Sequence, residues 1–272
     1  MAEFAEKTTD SKLWLTAQGL PSTIYAGQTV SVIDPSSENT SPYVHPSYLQ
    51  QNLALHVGDD ARQVQRNRFH LLKALQPFGA KQLYWLSQTH STIAHRVDSV
   101  INPHLLEGDG LVTSEQGIAL MMMTADCLPI VLSNRDGTEV ACLHAGWRGL
   151  ANGIIEATVK QMKSQPTFAW MGAAISQQHF EVGAEVKATF VQENADFEND
   201  FLMQNNGKFL ADLYSIARKK LTALGVENVS GGEHCTFAES DKFYSYRRNS
   251  TTGRMATFIF IRAKDVKLDA TF

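Results

Sequence analysis

Four short apolar runs set the limits on this fold: "QLYWLSQ" (82–88), "IALMMMT" (118–124), "PIVLSN" (129–134) and "EVACLH" (139–144). They are punctuated by Gly, Asp or Pro and carry apolar residues at consecutive positions, the pattern of buried strands covered on both faces. The turn sequence "NRDG" at 134–137 predicts a hairpin between the last two. "STIYAGQTVSVI" (22–33) fits an earlier strand pair, "FAWMGAAI" (168–175) returns to strand, and "MATFIFIRA" (255–263) supplies a final one.

Helical segments lie between and beyond these runs. "DDARQVQRNRFHLLKAL" (59–75) sets Val64, Phe69, Leu71, Leu72 and Leu75 among polar residues at roughly helical spacing, with Asp59 and Asp60 able to cap the start. From Leu150 to Met162, apolar positions recur every four residues at Leu150, Ile154, Thr158 and Met162 and predict an amphipathic helix. "VGAEVKATFVQE" (182–193) and "FLADLYSIARKKLTALG" (209–225) are the other two, the second closed by Gly225. Residues 34–46, rich in Pro, Ser and Asn, read as a surface loop. Strands and helices mix along the whole length with no internal repeat and no linker, which predicts an α/β or α+β sandwich in one domain spanning 1–272.

Composition narrows the function classes. A net charge of -4 without a basic stripe argues against a dedicated nucleic-acid binder, and no apolar stretch is long enough to cross a bilayer. The expected partner is a small molecule, and nothing in the sequence predicts a protein partner. Cys127, Cys142 and Cys235 form an odd set with no CxxC pair, as expected of reduced thiols. The N-terminus shows no secretory signal, so the expected compartment is the cytoplasm.

Three candidate ligands leave apolar runs: His90 in "SQTHS", Cys127 in "TADCLP" and His144 in "CLHAGW". Strand ends in α/β proteins gather at one sheet edge, so these distant residues can converge on one crevice. Two His and one Cys make a plausible zinc set that leaves a fourth position for water or substrate, and the metal would then activate that water as a nucleophile. The bland alternative is that Cys127 is a small core residue, since gaps of 36 and 16 residues match no short zinc motif. A blue-copper centre also uses two His and a Cys with a nearby Met, but Met121, Met122 and Met123 read better as strand core. A multicopper oxidase needs many histidines in His-x-His pairs; this chain has nine histidines and no such pair. Cys127 with His144 could instead form a nucleophile and base pair for a thiol hydrolase.

Arginines can mark an anionic substrate. Arg148 opens the helix after the turn, where free N–H groups favour an anion, and Arg247, Arg248 and Arg254 lie beside aromatics in "FYSYRRNSTTGRMA". The remaining histidines, His45, His56, His70, His95, His104, His179 and His234, read as structural or exposed.

The motifs "QTH", "TADCLPI", "HAGWRG", "FEVG", "HCT" and "FYSYRR...TGRMA", with "NLALHVGDD" and "NR" upstream, occur in an order that resembles the laccase-domain family, over about residues 50 to 262. That family was formerly called multicopper polyphenol oxidases and is now regarded as purine nucleoside phosphorylases. The resemblance implies an α+β fold, a layered α/β sandwich with a mixed sheet similar to the cytotoxic necrotizing factor catalytic domain. It implies zinc, with copper as the alternative, on His90, Cys127 and His144. It implies phosphorolysis of adenosine, inosine and methylthioadenosine to base and ribose 1-phosphate, with adenosine deamination alongside. A deamidase type of activity and a link to editing of peptidoglycan precursors are the other implied readings. Purine nucleosides and phosphate are thus the implied partners, with Asn52, Arg68, Gln88, Arg247 and Arg248 as substrate-binding residues and Arg148 and Cys127 as catalytic ones.

For deamination, Asp126 is the nearest carboxylate that could shuttle protons. Neighbours on a strand point to opposite faces, so Asp126 and Cys127 share a site only if the chain turns there, as Pro129 hints. Arg148 or Arg248 could hold phosphate beneath the sugar. Two departures from the family pattern stand out. The usual Arg-Gly-Gly segment near the N-terminus is missing, the first 45 or so residues being divergent, and Gln178 and His179 stand where many members carry a cysteine pair before "EVG".

Overall fold

The apolar runs at 118–124, 129–134 and 139–144 are covered on both faces because they form the two inner layers of a four-layer stack, whereas the run at 82–88 supplies only a half-buried edge strand of three residues. The computed structural model describes residues 13–32, 47–98 and 105–263. One sheet has five strands in the order β1 (Trp14–Thr16), β2 (Ile24–Thr29), β14 (Met255–Ile261), β6 (Ile118–Thr124) and β3 (Gln82–Tyr84). The other has six, in the order β13 (Asn228–Gly231), β9 (Pro166–Met171), β7 (Leu128–Asn134), β8 (Val140–Ala145), β5 (Gly110–Thr113) and β4 (Ala94–Arg96). Both sheets are mixed: β3 with β6, β13 with β9 and β4 with β5 run parallel, and the central pairs are antiparallel.

Successive side chains on each strand point to opposite layers. Leu120 and Met122 of β6 and Ile259 of β14 meet Val131, Val140, Cys142 and Trp170 of the second sheet. Their neighbours Met121, Phe258 and Phe260 face outward, against Leu71 and Leu75 of helix α1 (Ala61–Leu75). On the far side Ile130, Leu132, Leu143 and Met171 are covered by four helices: α2 (Trp147–Asn152), α3 (Ile154–Gln161), α4 (Ala184–Glu193) and α5 (Leu213–Ala223). Each fully buried Leu, Ile, Met or Phe here contributes roughly 2–3 kcal/mol relative to exposure, so the stack stabilises itself on three apolar interfaces. Among the described residues no helix is long and apolar enough to cross a membrane.

Several sequence expectations need correction. The helix expected from Leu150 to Met162 is two helices, because Gly153 adopts φ +93 between α2 and α3, and Met162 is already extended. "FLADLYSIARKKLTALG" starts as strand β12 (Phe209–Ala211), and α5 begins only where the Asp212 carboxylate caps the Ser215 N–H at 2.9 Å. β12 is the middle strand of a small third sheet between β10 (Glu181–Val182) and β11 (Phe201–Met203), strands too short to leave a periodic signal. "STIYAGQTVSVI" holds one strand, β2, whose partner β1 lies upstream. The expected loop at 34–46, and with it His45, lies outside the described residues, as does His104.

Glu139, 2% exposed and just before β8, ties three segments together. It accepts from Arg96 at 2.5 Å, from the N–H of Lys163 at 2.9 Å, and from both the N–H and hydroxyl of Ser164. Burial alone would raise this carboxyl, but those donors outweigh it and hold it below the usual range. Glu139→Gln should therefore cost about 3 kcal/mol at neutral pH. A depressed pKa stabilises above the ordinary carboxyl value and is lost as pH falls through the folded value. The gap between parent and variant in denaturant melts should accordingly shrink below about pH 4; an unchanged gap would show that the charge is not what stabilises.

Candidate metal centre

The site sits where the two sheets open at one end. β6 belongs to the first sheet and β7 to the second, so residues 125–127 carry the chain across the mouth between them. Asp126 makes that crossing with φ +94, a left-handed conformation rare outside glycine. This reversal lets Asp126 and Cys127 line the same cavity. The turn expected near Pro129 is thus made at Asp126, while Pro129 is already in β7, paired with His144. His144 comes from the second sheet, near the end of β8, and His90 follows β3 of the first with φ +58.

The ligand atoms of His90, Cys127 and His144 lie within 4.8 Å of one another. The two imidazoles meet edge to face with centroids 4.8 Å apart. Gly146 completes the cradle from behind: a Cβ there would lie 3.0 Å from Cys127 Sγ and 3.4 Å from His144 Nε2. His144 Nδ1 bonds Asp109 Oδ1 at 2.7 Å, which turns Nε2 toward the cradle and fixes the tautomer a ligand needs. Asp109 is fully buried, and its other oxygen accepts from the N–H and hydroxyl of Ser91 at 2.6 and 2.8 Å. Two imidazoles and a thiolate this close together are a donor set that could hold one metal ion beside the cavity.

The ionisable groups of the cradle hold one another in their charged forms. Burial would raise the Cys127 thiol, but His144 and His90 beside it outweigh this and bring it down to about 6. Burial would lower His144, but Cys127 and Asp109 push it up to about 9. Asp109 is likewise held down to about 2 against its own burial, chiefly by His144. The thiolate that metal binding requires is therefore already favoured, whereas His144 has to give up a proton to ligate.

The cavity in front of the cradle measures about 400 Å³, within the range of small-molecule sites. Gln88, Met123, Ile175, Phe180, Tyr246, Arg247, Arg254 and His56 complete its wall. Of the residues expected there, Gln88 lines it while clamping the Met123 backbone with bonds of 2.9 and 2.7 Å. Arg247 lines it too, with its guanidinium over Phe180 and its N–H donating to Asp126 at 2.7 Å. Asp126 also accepts from the Thr236 hydroxyl at 2.7 Å, so each of its oxygens already carries a structural bond.

Four other expectations do not reach the cavity wall. Arg148 is exposed and stacks on Trp147 at 4.4 Å, on a helix of only six residues. Arg248 spends its guanidinium on the carbonyls of Thr236, Phe237 and Phe243. Arg68 donates to the Leu53 carbonyl and stacks over Trp85 at 4.0 Å, with burial lowering it to about 10. Asn52 is buried and fully bonded, to Ala54, Asp59 and the N–H of Arg254. Its contribution is to position Arg254.

His56, set aside on sequence as structural or exposed, lines the cavity, with burial and then Arg254 and Arg68 lowering its pKa. Asp109, Phe180 and Tyr246 were not singled out either. Asp109 sits between two glycines in "EGDG", where nothing separates a ligand-orienting carboxylate from a turn residue. Met121 and Met122 are fully buried in the core, as their strand pattern predicts.

A four-layer sandwich with a two-His, one-Cys donor set at the mouth between its sheets defines a protein that could hold one metal ion beside a small-molecule cavity. The chain belongs to the family described as multi-copper polyphenol oxidoreductase laccase, whose model matches residues 37–262. It is 41% identical over 219 residues to a purine nucleoside phosphorylase of Escherichia coli, covering 79% of this chain and 88% of that one. It is 37% identical over 232 residues to an adenosine deaminase from an unknown prokaryotic organism, covering 79% and 88%. A Neisseria meningitidis protein of known crystal structure superposes with a TM-score of 0.83 at 37% identity, over 92% of this chain and 99% of that one.

Proposed function

We propose that this chain is a zinc-dependent purine nucleoside enzyme. It phosphorolyses adenosine, inosine and methylthioadenosine to free base and ribose 1-phosphate, and deaminates adenosine as a second activity. The observation that carries this reading is the convergence of His90, Cys127 and His144 on one wall of a cavity that also presents Arg247 and Arg254. The names of the two curated relatives support the two activities.

His90, Cys127 and His144 would hold zinc, which supplies a Lewis acid able to polarise a bound oxygen. Phe180, Met123 and Ile175 give the purine an apolar wall and keep bulk water from it. Arg247 and Arg254 hold phosphate, a role that passes to them from Arg148 and Arg248 because only they face the cavity. Phosphate held there attacks the anomeric carbon, and the electron pair of the glycosidic bond leaves with the base. Asp126 holds the Arg247 backbone in place, so in this mechanism it is a positioning residue.

A second reading rests on the Cys127 thiol brought down to about 6 beside His144, the ionisation a Cys-His amide hydrolase needs. One experiment separates the two. Metal-analysed protein is incubated with inosine and with adenosine, with and without phosphate, and the products are resolved. Hypoxanthine formed from inosine only with phosphate, and inosine formed from adenosine, are the expected results. Unchanged purines together with metal-independent amide cleavage, abolished by Cys127→Ala, would establish the hydrolase instead.

A further inference from the structure

A second cluster of nucleophilic side chains lies outside the metal centre. Cys235 Sγ is 3.1 Å from Ser176 Oγ and 3.4 Å from the Ser176 N–H, both placed to donate to it. His179 Nδ1 stands 3.5 Å from the same sulfur and 3.3 Å from Ser176 Oγ. The His179 ring is held by stacking on Phe237, with centroids 4.8 Å apart and planes 25° from parallel. The Cys235 backbone is fixed by its bridge to Ala174 and by its N–H, which donates to Glu239 at 2.9 Å. The other two thiols have different surroundings. Cys142 is fully buried and burial pushes its thiol up, while Cys127 belongs to the metal cradle. Cys235 is only partly buried.

We propose that Cys235, with His179 as its base and Ser176 as its hydrogen-bond donor, is a site of thiol–disulfide exchange with small disulfides. His179 Nδ1 takes the thiol proton, and the two Ser176 donors complement the negative charge that develops on sulfur. The sulfur attacks one sulfur of the reagent, and the reagent's S–S bond breaks as the mixed disulfide with Cys235 forms. The departing thiolate leaves as a thiol with the proton held by His179, so no outside oxidant is required. Around this pair stand Glu239, bonded to the Cys235 N–H and to His234, then the Tyr214 hydroxyl on the His234 carbonyl, and Arg248 on the Thr236 carbonyl. Among the described residues, His179 is the titratable group that touches the sulfur.

The probe is 4,4′-dithiodipyridine on the full metal-loaded chain, with released thiopyridone giving the rate and peptide mass mapping separating the three cysteines. At pH 7 Cys235 should react at least about tenfold faster than N-acetylcysteine. His179→Gln, which leaves a hydrogen-bonding group but no base beside the sulfur, should slow it about tenfold. At about pH 10, above the ordinary thiol pKa of about 8.5, the two proteins should agree within about twofold. A Cys235 no faster than the free thiol overturns the proposal whether or not the variant folds. So does a His179→Gln rate equal to the parent at pH 7, or a gap that persists at pH 10, which would mark His179 as packing only. The readout needs no nucleoside turnover, so its failure is distinct from failure of the proposed activity.

Discussion

Gly146→Ala is expected to weaken metal binding strongly while leaving the protein folded. Residue 146 has φ -59 and ψ 158, angles open to any residue, so the backbone itself does not resist a side chain. The obstacle is contact: the added methyl would stand 3.0 Å from Cys127 Sγ and 3.4 Å from both His144 Nε2 and His90 Cδ2. These atoms belong to the three donor residues, and relieving the crowding moves Cys127 Sγ, the tightest contact, off its position in the cradle. Displacing a donor in this way should weaken divalent-metal affinity by about 10- to 100-fold. Chelator competition and metal analysis would measure this, with thermal melting of the metal-free forms as the control for folding. A variant that binds metal as the parent does would move the ion out of this cradle.

The second large effect is expected from Asp109→Asn, and it differs in reaching both metal and stability. Asp109 is fully buried and accepts from His144 Nδ1, from the Ser91 N–H and hydroxyl, and from the Thr89 N–H. An amide in its place turns one acceptor into a donor that faces other donors, and it removes the charge that orients the imidazole. Metal affinity should fall by about 10- to 100-fold. The metal-free protein should lose about 3 kcal/mol in denaturant melts. Weakened metal binding with unchanged stability would mean that Asp109 serves the ligand alone, and the reverse would make it a packing residue.

The two variants probe features of different visibility in the sequence. "HAGWRG" displays Gly146 within a recognisable motif, yet the reason for glycine appears only when Cys127 and His90 arrive from other strands. Asp109 carried no signal at all, being one acidic residue in a Gly-flanked turn. The arginines divide in the same way. Arg148 sits two residues past the cradle glycine in sequence but points to solvent, whereas Arg254, more than a hundred residues away, lines the cavity. The helix after the cradle was legible in its spacing, but its break at Gly153 was not, because an isolated glycine in a helical pattern is tolerated as often as it ends one.

The amino-acid order alone determined that the central strands would be buried on both faces, since apolar residues at consecutive positions leave neither side fit for water. It also singled out three candidate metal donors, His90, Cys127 and His144, through the motifs that resemble a family and not through their spacing. Only the tertiary structure decided which arginines and which further histidine share the cavity with those donors. That outcome depends on two sheets stacking face to face and on a single left-handed residue, Asp126, reversing the chain between them. Such convergence is a property of packing between distant segments, and local spacing carries no record of it.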